Sequence, residues 1–117
     1  MTPFGAKVRM YREKKIITQK QMAKMLGVSS AYLSALENGK RGYPSVQIVH
    51  RICGLFNIIW DDADELMRLA QLSHPKITVN TVGMSPLATE VANRLAENIG
   101  GLNMKKLEAI NTILKEK

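Results

Sequence analysis

Cysteine, histidine and aromatic side chains are scarce in this 117-residue chain, which has one Cys, two His, one Trp, three Tyr and two Phe. A lone Cys53 among apolar neighbours excludes an intrachain disulfide and does not build a zinc site. His50 and His74 are isolated, and the carboxylates gather mainly at helix starts. No nucleophile–base pair, metal set or phosphate-cradling glycine loop is recognisable, so neither enzyme chemistry nor a bound cofactor is expected. Asp61, Asp62, Asp64 and Glu65 lack the glycine turn and spaced terminal acid of a calcium loop. They read instead as anions complementing a helix N-terminus. No apolar run is long enough to span a membrane. The opening MTPFGAKVRMYREKK has no apolar signal core, so a cytoplasmic protein is expected.

Acidic residues are also missing from the first half. Residues 1–60 hold ten Lys or Arg against Glu13 and Glu37, whereas residues 61–117 hold seven basic and eight acidic residues. The net charge of +7 therefore lies in the amino-terminal part, and a polyanionic partner follows from it. A membrane surface is not expected, because the apolar helix faces there are needed for a core.

The most informative stretch is TQKQMAKMLGVSSAYLSALENG, Thr18–Gly39. Met22, Ala23 and Leu26 share one helix face. Gly27 can end that helix in the left-handed conformation, and Val28 can seat the turn. Ser29 or Ser30 caps a second helix, which Asn38-Gly39 ends. At about 100° per residue, Leu33 and Leu36 point inward while Ser30, Ala31, Ser34 and Ala35 point outward. This slim, uncharged outer face suits entry into a DNA major groove. An ordinary helical hairpin with a wet outer face is the alternative.

Around this stretch the chain reads as helical throughout. Thr2-Pro3 starts a helix with Phe4, Val8 and Tyr11 inward, ending near Lys15. Ile16 and Ile17 form an apolar connector expected to be pinned in the core. Thr18 and Gln21 make a capping box. Lys40–Pro44 is a loop with two basic residues beside the second helix. Ser45 caps a helix with Val46, Val49, Ile52, Cys53 and Phe56 as its stripe, and Gly54 within it suggests close packing. Trp60 is placed to staple the next helix, which carries Leu66, Leu69, Ala70 and Leu72.

FGAKVRMYREKKIITQKQMAKMLGVSSAYLSALENGK resembles the phage-repressor (Cro-like, Xre-type) helix-turn-helix family. The resemblance rests on Gly5, Val8, Arg12, Thr18-Gln19, Met22-Ala23, Leu26-Gly27-Val28, Leu33-Ser34 and Glu37-Asn38-Gly39, and it extends to about Leu72. It implies an all-α fold, a five-helix bundle that binds operator DNA, usually as a dimer. One departure is Ile16, where the family commonly has Gly. By position, the resemblance assigns phosphate contacts to Thr18 and Gln19, helped by the helix N-terminus, and to Asn38, Lys40, Arg41 and Tyr43. It assigns base reading to Ser30, Ala31 and Ala35, flanked by Tyr32 and Ser34, and an ion pair to Arg12 and Glu37. The base-reading set holds no Gln, Asn or Arg for bidentate contacts. Phosphate contacts and DNA shape are therefore expected to carry much of the selectivity.

These features divide the chain into a DNA-binding domain at 1–73, a linker at 74–84 and a helical hairpin at 85–117. KITVNTVGM is β-branched and alternating, an extended linker or a short strand able to pair with its twin in a dimer. Ser85-Pro86 starts a helix with Leu87, Val91 and Leu95 on one stripe. After Gly100-Gly101, Asn103 caps a last helix with Leu107, Ile110 and Leu114. The hairpin is too small to own a core, so its stripes pack against the first bundle or against a second copy; the second is favoured, with these six residues at a homodimer interface. The leading expectation is a sequence-specific transcriptional regulator, most simply a repressor, with double-stranded DNA as its partner. The alternatives are an antitoxin or restriction-modification controller with a toxin or other protein partner, and a helical adaptor that binds no DNA.

Overall fold

In the computed structural model, residues 1–40 and 42–116 are described, and they contain helices and connecting segments but no strand. The chain divides into two compact units, Met1–Ile77 and Thr78–Lys117. The first holds α1 (Pro3–Lys14), α2 (Gln19–Leu26), α3 (Ser30–Glu37), α4 (Val46–Phe56) and α5 (Trp60–Gln71). The second holds α6 (Pro86–Asn98), a 3₁₀ turn (Ile99–Gly101) and α7 (Met104–Lys115).

Local chemistry sets the helix boundaries. Thr2, Thr18, Ser29, Ser45, Ser85 and Asn103 each cap a helix with a side-chain oxygen that accepts a main-chain N–H of its first turn. At Thr18 the box is complete. Its Oγ1 accepts from Gln21 N at 3.0 Å, and its own N–H donates to Gln21 Oε1 at 2.7 Å. Four of the helices in the first unit end alike. A residue with positive φ follows the helix, and the next N–H reaches back to a carbonyl five residues earlier: Ile17 to Arg12, Val28 to Ala23, Lys40 to Ala35 and Ile58 to Cys53. The left-handed positions are Ile16, Gly27, Gly39 and Asn57.

Ile16 stands out among the four. It takes φ 54° and is 90 % exposed, so the expectation that it is pinned in the core is corrected; only Ile17 packs against the core. A β-branched side chain in this conformation crowds its own carbonyl at a cost of about 1–2 kcal/mol, and exposure leaves it no packing in return. Ile16→Gly should therefore stabilise the protein by about 1 kcal/mol, the gain being reduced by the greater freedom of Gly in the unfolded chain. A rise in urea midpoint at constant m-value would register it.

The core of the first unit joins α1 (Phe4, Val8), α2 (Met22, Ala23, Leu26), α3 (Leu33, Leu36), α4 (Ile48, Val49, Ile52, Phe56) and α5 (Leu66, Ala70), with Ile58 from the turn before α5. Ser73 fastens the ends of α1 and α5: its hydroxyl accepts from Phe4 N–H at 2.9 Å and donates to the Leu69 carbonyl at 2.5 Å. In α4, Ile48 is buried and Val46 is exposed, a correction to the expected stripe. At about 100° per residue, Val46 lies more than a quarter turn from the centre of Ile48, Val49, Ile52 and Phe56. Trp60 is 81 % exposed with φ 55° and is no staple. Nothing lies close to where a Cβ on Gly54 would sit, so that glycine serves no close contact.

The second unit has a different character. None of its described residues is buried. Leu87, Val91, Ile99, Met104, Ile113 and Leu114 all remain more than half exposed. The stretch Lys76–Thr81 has no regular structure.

Candidate nucleic-acid interface

The turn between α2 and α3 is rigid for reasons local to it. Gly27 takes φ 73° and allows Val28 N–H to reach the Ala23 carbonyl at 2.9 Å. Ser29 Oγ then accepts from Tyr32 N at 3.0 Å, so α3 begins two residues after α2 has turned. Leu33 and Leu36 are buried, which sets the rotation of α3 about its axis. Ser30 and Ala31 are consequently exposed, Ser34 and Ala35 half-exposed. Tyr32 is half-buried and packs against the core.

Behind α3 lies a buried carboxylate. The Glu37 side chain is 2 % exposed, and its Oε1 accepts from Arg12 Nη2 at 3.1 Å. Its Oε2 accepts from Gln19 Nε2 at 3.2 Å. Arg12 is 13 % exposed, and its Nε is buried without a partner among the described residues. One charge thus ties together α1, the start of α2 and the end of α3. The Glu37 main chain is equally confined, since its carbonyl accepts from Thr2 N at 3.1 Å and Thr2 Oγ1 at 3.3 Å.

The positions assigned to phosphate contact spread around this knot. Gln19 spends one amide hydrogen on Glu37 and keeps the other, with its oxygen, for an outside group. Thr18 Oγ1 accepts from Gln21 N, which leaves its hydroxyl hydrogen available to an acceptor. Asn38 Nδ2 donates to the Ser34 carbonyl at 2.9 Å. Lys40 is exposed. Tyr43 stacks on His74 with ring centroids 3.7 Å apart and remains more than half exposed. Arg41 lies outside the described residues.

Several neighbours escaped the sequence reading. A polar cleft of about 340 Å³ is lined by Arg9, Arg12, Gln19 and Asn38 among others, so Arg9 stands beside the expected phosphate positions. Its Nε pairs with Glu13 at 3.2 Å, an exposed contact that contributes little. A second cleft brings Lys20 and Lys24 next to Val28 and Ser30. The i, i+4 spacing of these lysines, opposite Met22, Ala23 and Leu26, is the signal that would have revealed them. Cys53 is half-buried, and burial raises its thiol pKa, which keeps the nucleophilic thiolate scarce.

This arrangement of two short helices, a left-handed glycine turn and an exposed second helix matches a known family. A helix-turn-helix family model fits residues 8–59. The amino-terminal unit is a helix-turn-helix domain of the phage-repressor (Xre) type. Its sequence is similar to three known proteins. An uncharacterised HTH-type transcriptional regulator, RghRB of Bacillus subtilis (strain 168), is 34 % identical over 62 residues, covering 53 % of this chain and 45 % of that one. The HTH-type transcriptional repressor RghR of the same organism is 36 % identical over 61 residues, covering 52 % and 45 %. The ImmF control region 10 kDa protein of Bacillus phage phi105 is 44 % identical over 54 residues, covering 46 % and 59 %. The chain spans about half the length of these relatives. No solved structure matches it significantly. The domain match ends before the second unit begins. No helix of the described residues is long and apolar enough to cross a membrane.

Proposed function

We propose that the protein is a sequence-specific transcriptional regulator, most simply a repressor, that binds operator DNA as a dimer with α3 of each copy in the major groove. The observation that supports this most is the outward Ser30–Ala31–Ala35 face of α3, exposed at Ser30 and Ala31 and half-exposed at Ala35, held by the Arg12–Glu37–Gln19 knot around the buried Glu37 carboxylate and bordered by Thr18, Asn38, Lys40 and Tyr43. In this reading residues 1–73 hold the DNA and residues 74–84 link. Residues 85–117 join the copies through Leu87, Val91, Leu95, Leu107, Ile110 and Leu114. Phosphates are gripped by Thr18, Gln19, Asn38, Lys40, Arg41 and Tyr43. The methyl groups of Ala31 and Ala35 touch thymine methyls, and Ser30 bonds to either kind of base edge. Tyr32 and Ser34 flank them. The relatives' names point the same way, since one is called a transcriptional repressor and another the product of a phage control region.

Fluorescence anisotropy with the full chain and a labelled duplex of random sequence tests DNA binding itself. The logarithm of affinity should fall linearly with the logarithm of salt. Lys40→Ala should weaken binding to all sequences alike and reduce the slope by about one. A flat salt response would remove the electrostatic basis of the proposal. The exposed apolar stripes of α6 and α7 also suit a different protein as partner, the reading in which the chain is an antitoxin or a restriction-modification controller. A stable partner co-purifying from the native host distinguishes it.

A further inference from the structure

The last helix of the first unit, α5, ends at Gln71, yet that unit runs on to Ile77. The segment after α5 is fastened at two points. Ser73 is buried and bonded to the Phe4 N–H and the Leu69 carbonyl. Pro75 lies just past the end of α3, its Cβ 3.5 Å from where a Cβ on Gly39 would sit. His74 stands between these two anchors, and it is exposed.

The His74 ring lies against Tyr43, with centroids 3.7 Å apart and planes 28° from parallel. Tyr43 belongs to the loop that follows α3. There Gly39 and Gly42 take left-handed φ, 77° and 79°, and glycines give a loop wide conformational freedom. Pro44, the next residue, is buried and holds the main chain. The side chain of Tyr43 has no such tie, since it makes no hydrogen bond to the described residues. The stack on His74 sets the direction of its ring.

The hydroxyl at the far end of that ring is unspent. A tyrosine that serves the fold alone usually buries its ring and bonds its hydroxyl. Tyr43 is more than half exposed, its ring is braced, and its O–H is free to donate to an outside acceptor. It stands three residues after Lys40, which is also exposed. A donor already held in place loses less freedom when it meets its acceptor, so the brace raises affinity without adding a contact of its own.

We infer that His74 is a positioning residue of the DNA interface: by stacking on Tyr43 it holds the phenol ready to donate to a backbone phosphate. The inference rests on the DNA-binding reading above and adds to it a residue from beyond α5 that acts through Tyr43.

Fluorescence anisotropy of the full chain with a labelled random-sequence duplex at low salt tests it, each variant being checked for folding by urea denaturation. His74 is exposed, so its replacement leaves the fold in place. His74→Ala should weaken binding about three- to tenfold, the worth of an aromatic stack expressed as affinity. His74→Phe keeps a flat ring against Tyr43 and should bind within about twofold of the wild type. Tyr43→Phe keeps the stack and loses the donor, and it should weaken binding by at least as much as His74→Ala. Adding His74→Ala to Tyr43→Phe should then cost less than about a further twofold. A purely structural His74 would not produce that non-additivity in DNA affinity. If His74→Ala binds like the wild type, if Phe does not rescue the loss, or if the loss is as large in the Tyr43→Phe background, the inference is overturned and DNA binding stands. A folded wild type that binds no duplex overturns the DNA-binding reading and this inference with it.

Discussion

Glu37→Ala should lower the stability of the protein by about 3 kcal/mol. Removing one member of a buried pair typically costs about 3–5 kcal/mol because the other charge stays buried and unpaired. Arg12 is 13 % exposed and keeps some contact with water, which places the effect at the lower end. Gln19 loses its acceptor as well. Glu37→Gln is the informative companion. It preserves the shape and an acceptor for Gln19 but removes the charge facing Arg12, and the expected loss is about 1.5 kcal/mol. Replacing Arg12 and Glu37 together by leucine should cost much less than the sum of the single changes to leucine, since an apolar pair of similar volume often substitutes for a buried ion pair. Urea denaturation of the five variants measures this. A Glu37→Ala loss below about 0.5 kcal/mol, the range of ordinary surface changes, would mean that the knot does not hold α1, α2 and α3 together.

Gly5→Ala should be at least as damaging, although alanine normally improves a helix interior by about 1 kcal/mol. A Cβ on Gly5 would lie 2.0 Å from the Glu37 carbonyl oxygen, 2.7 Å from its carbon and 2.8 Å from its Cα. All three atoms are main chain, so no side chain can swing aside. α1 must move off α3 by roughly an ångström, which strains or breaks the bonds from Thr2 N and Thr2 Oγ1 to that same carbonyl. Overpacking ordinarily costs about 1–3 kcal/mol and occasionally more, and with the hydrogen bonds weakened about 3 kcal/mol is expected. The carbonyl belongs to the last residue of α3, so the displacement also tilts α3, the helix proposed to enter the groove. DNA affinity should fall in proportion to the folded fraction and further. An unchanged or raised urea midpoint would show that α1 and α3 are not in this contact.

The caps and the turn were legible because their causes are local. Thr2-Pro3, Thr18 with Gln21, Ser45, Ser85-Pro86 and Asn103 act within four residues of themselves, and Gly27 supplies its own conformation. What escaped depends on facing partners distant in sequence. Whether Val46 or Ile48 faces inward depends on where the neighbouring helices lie. Ile16 is apolar and sits between helices, which suggests burial, but the left-handed helix end turns its side chain to solvent. Ser73 reads as an ordinary polar residue ending a helix, yet it is buried against Phe4, 69 residues away. In the candidate interface, the caps and the glycine turn that orient α3 follow from residue type and spacing. The Arg12–Glu37 pair, across 25 residues, is what the family resemblance implies, whereas the bond from Gln19 to the same carboxylate, across 18, has no local signal. Gly5 is the extreme case, since its importance lies in an atom it does not have.

Selection of bound duplexes from a random pool, using the full chain, tests the central claim most directly. The enriched sequences should share a two-fold-symmetric motif whose half-site centres lie about one helical turn, or a multiple of it, apart. Because Ser30, Ala31 and Ala35 offer no bidentate contact, preference should be spread over several positions, each substitution costing well under about 3 kcal/mol. No enriched motif, or a single asymmetric site read strongly at one or two bases, would contradict the account.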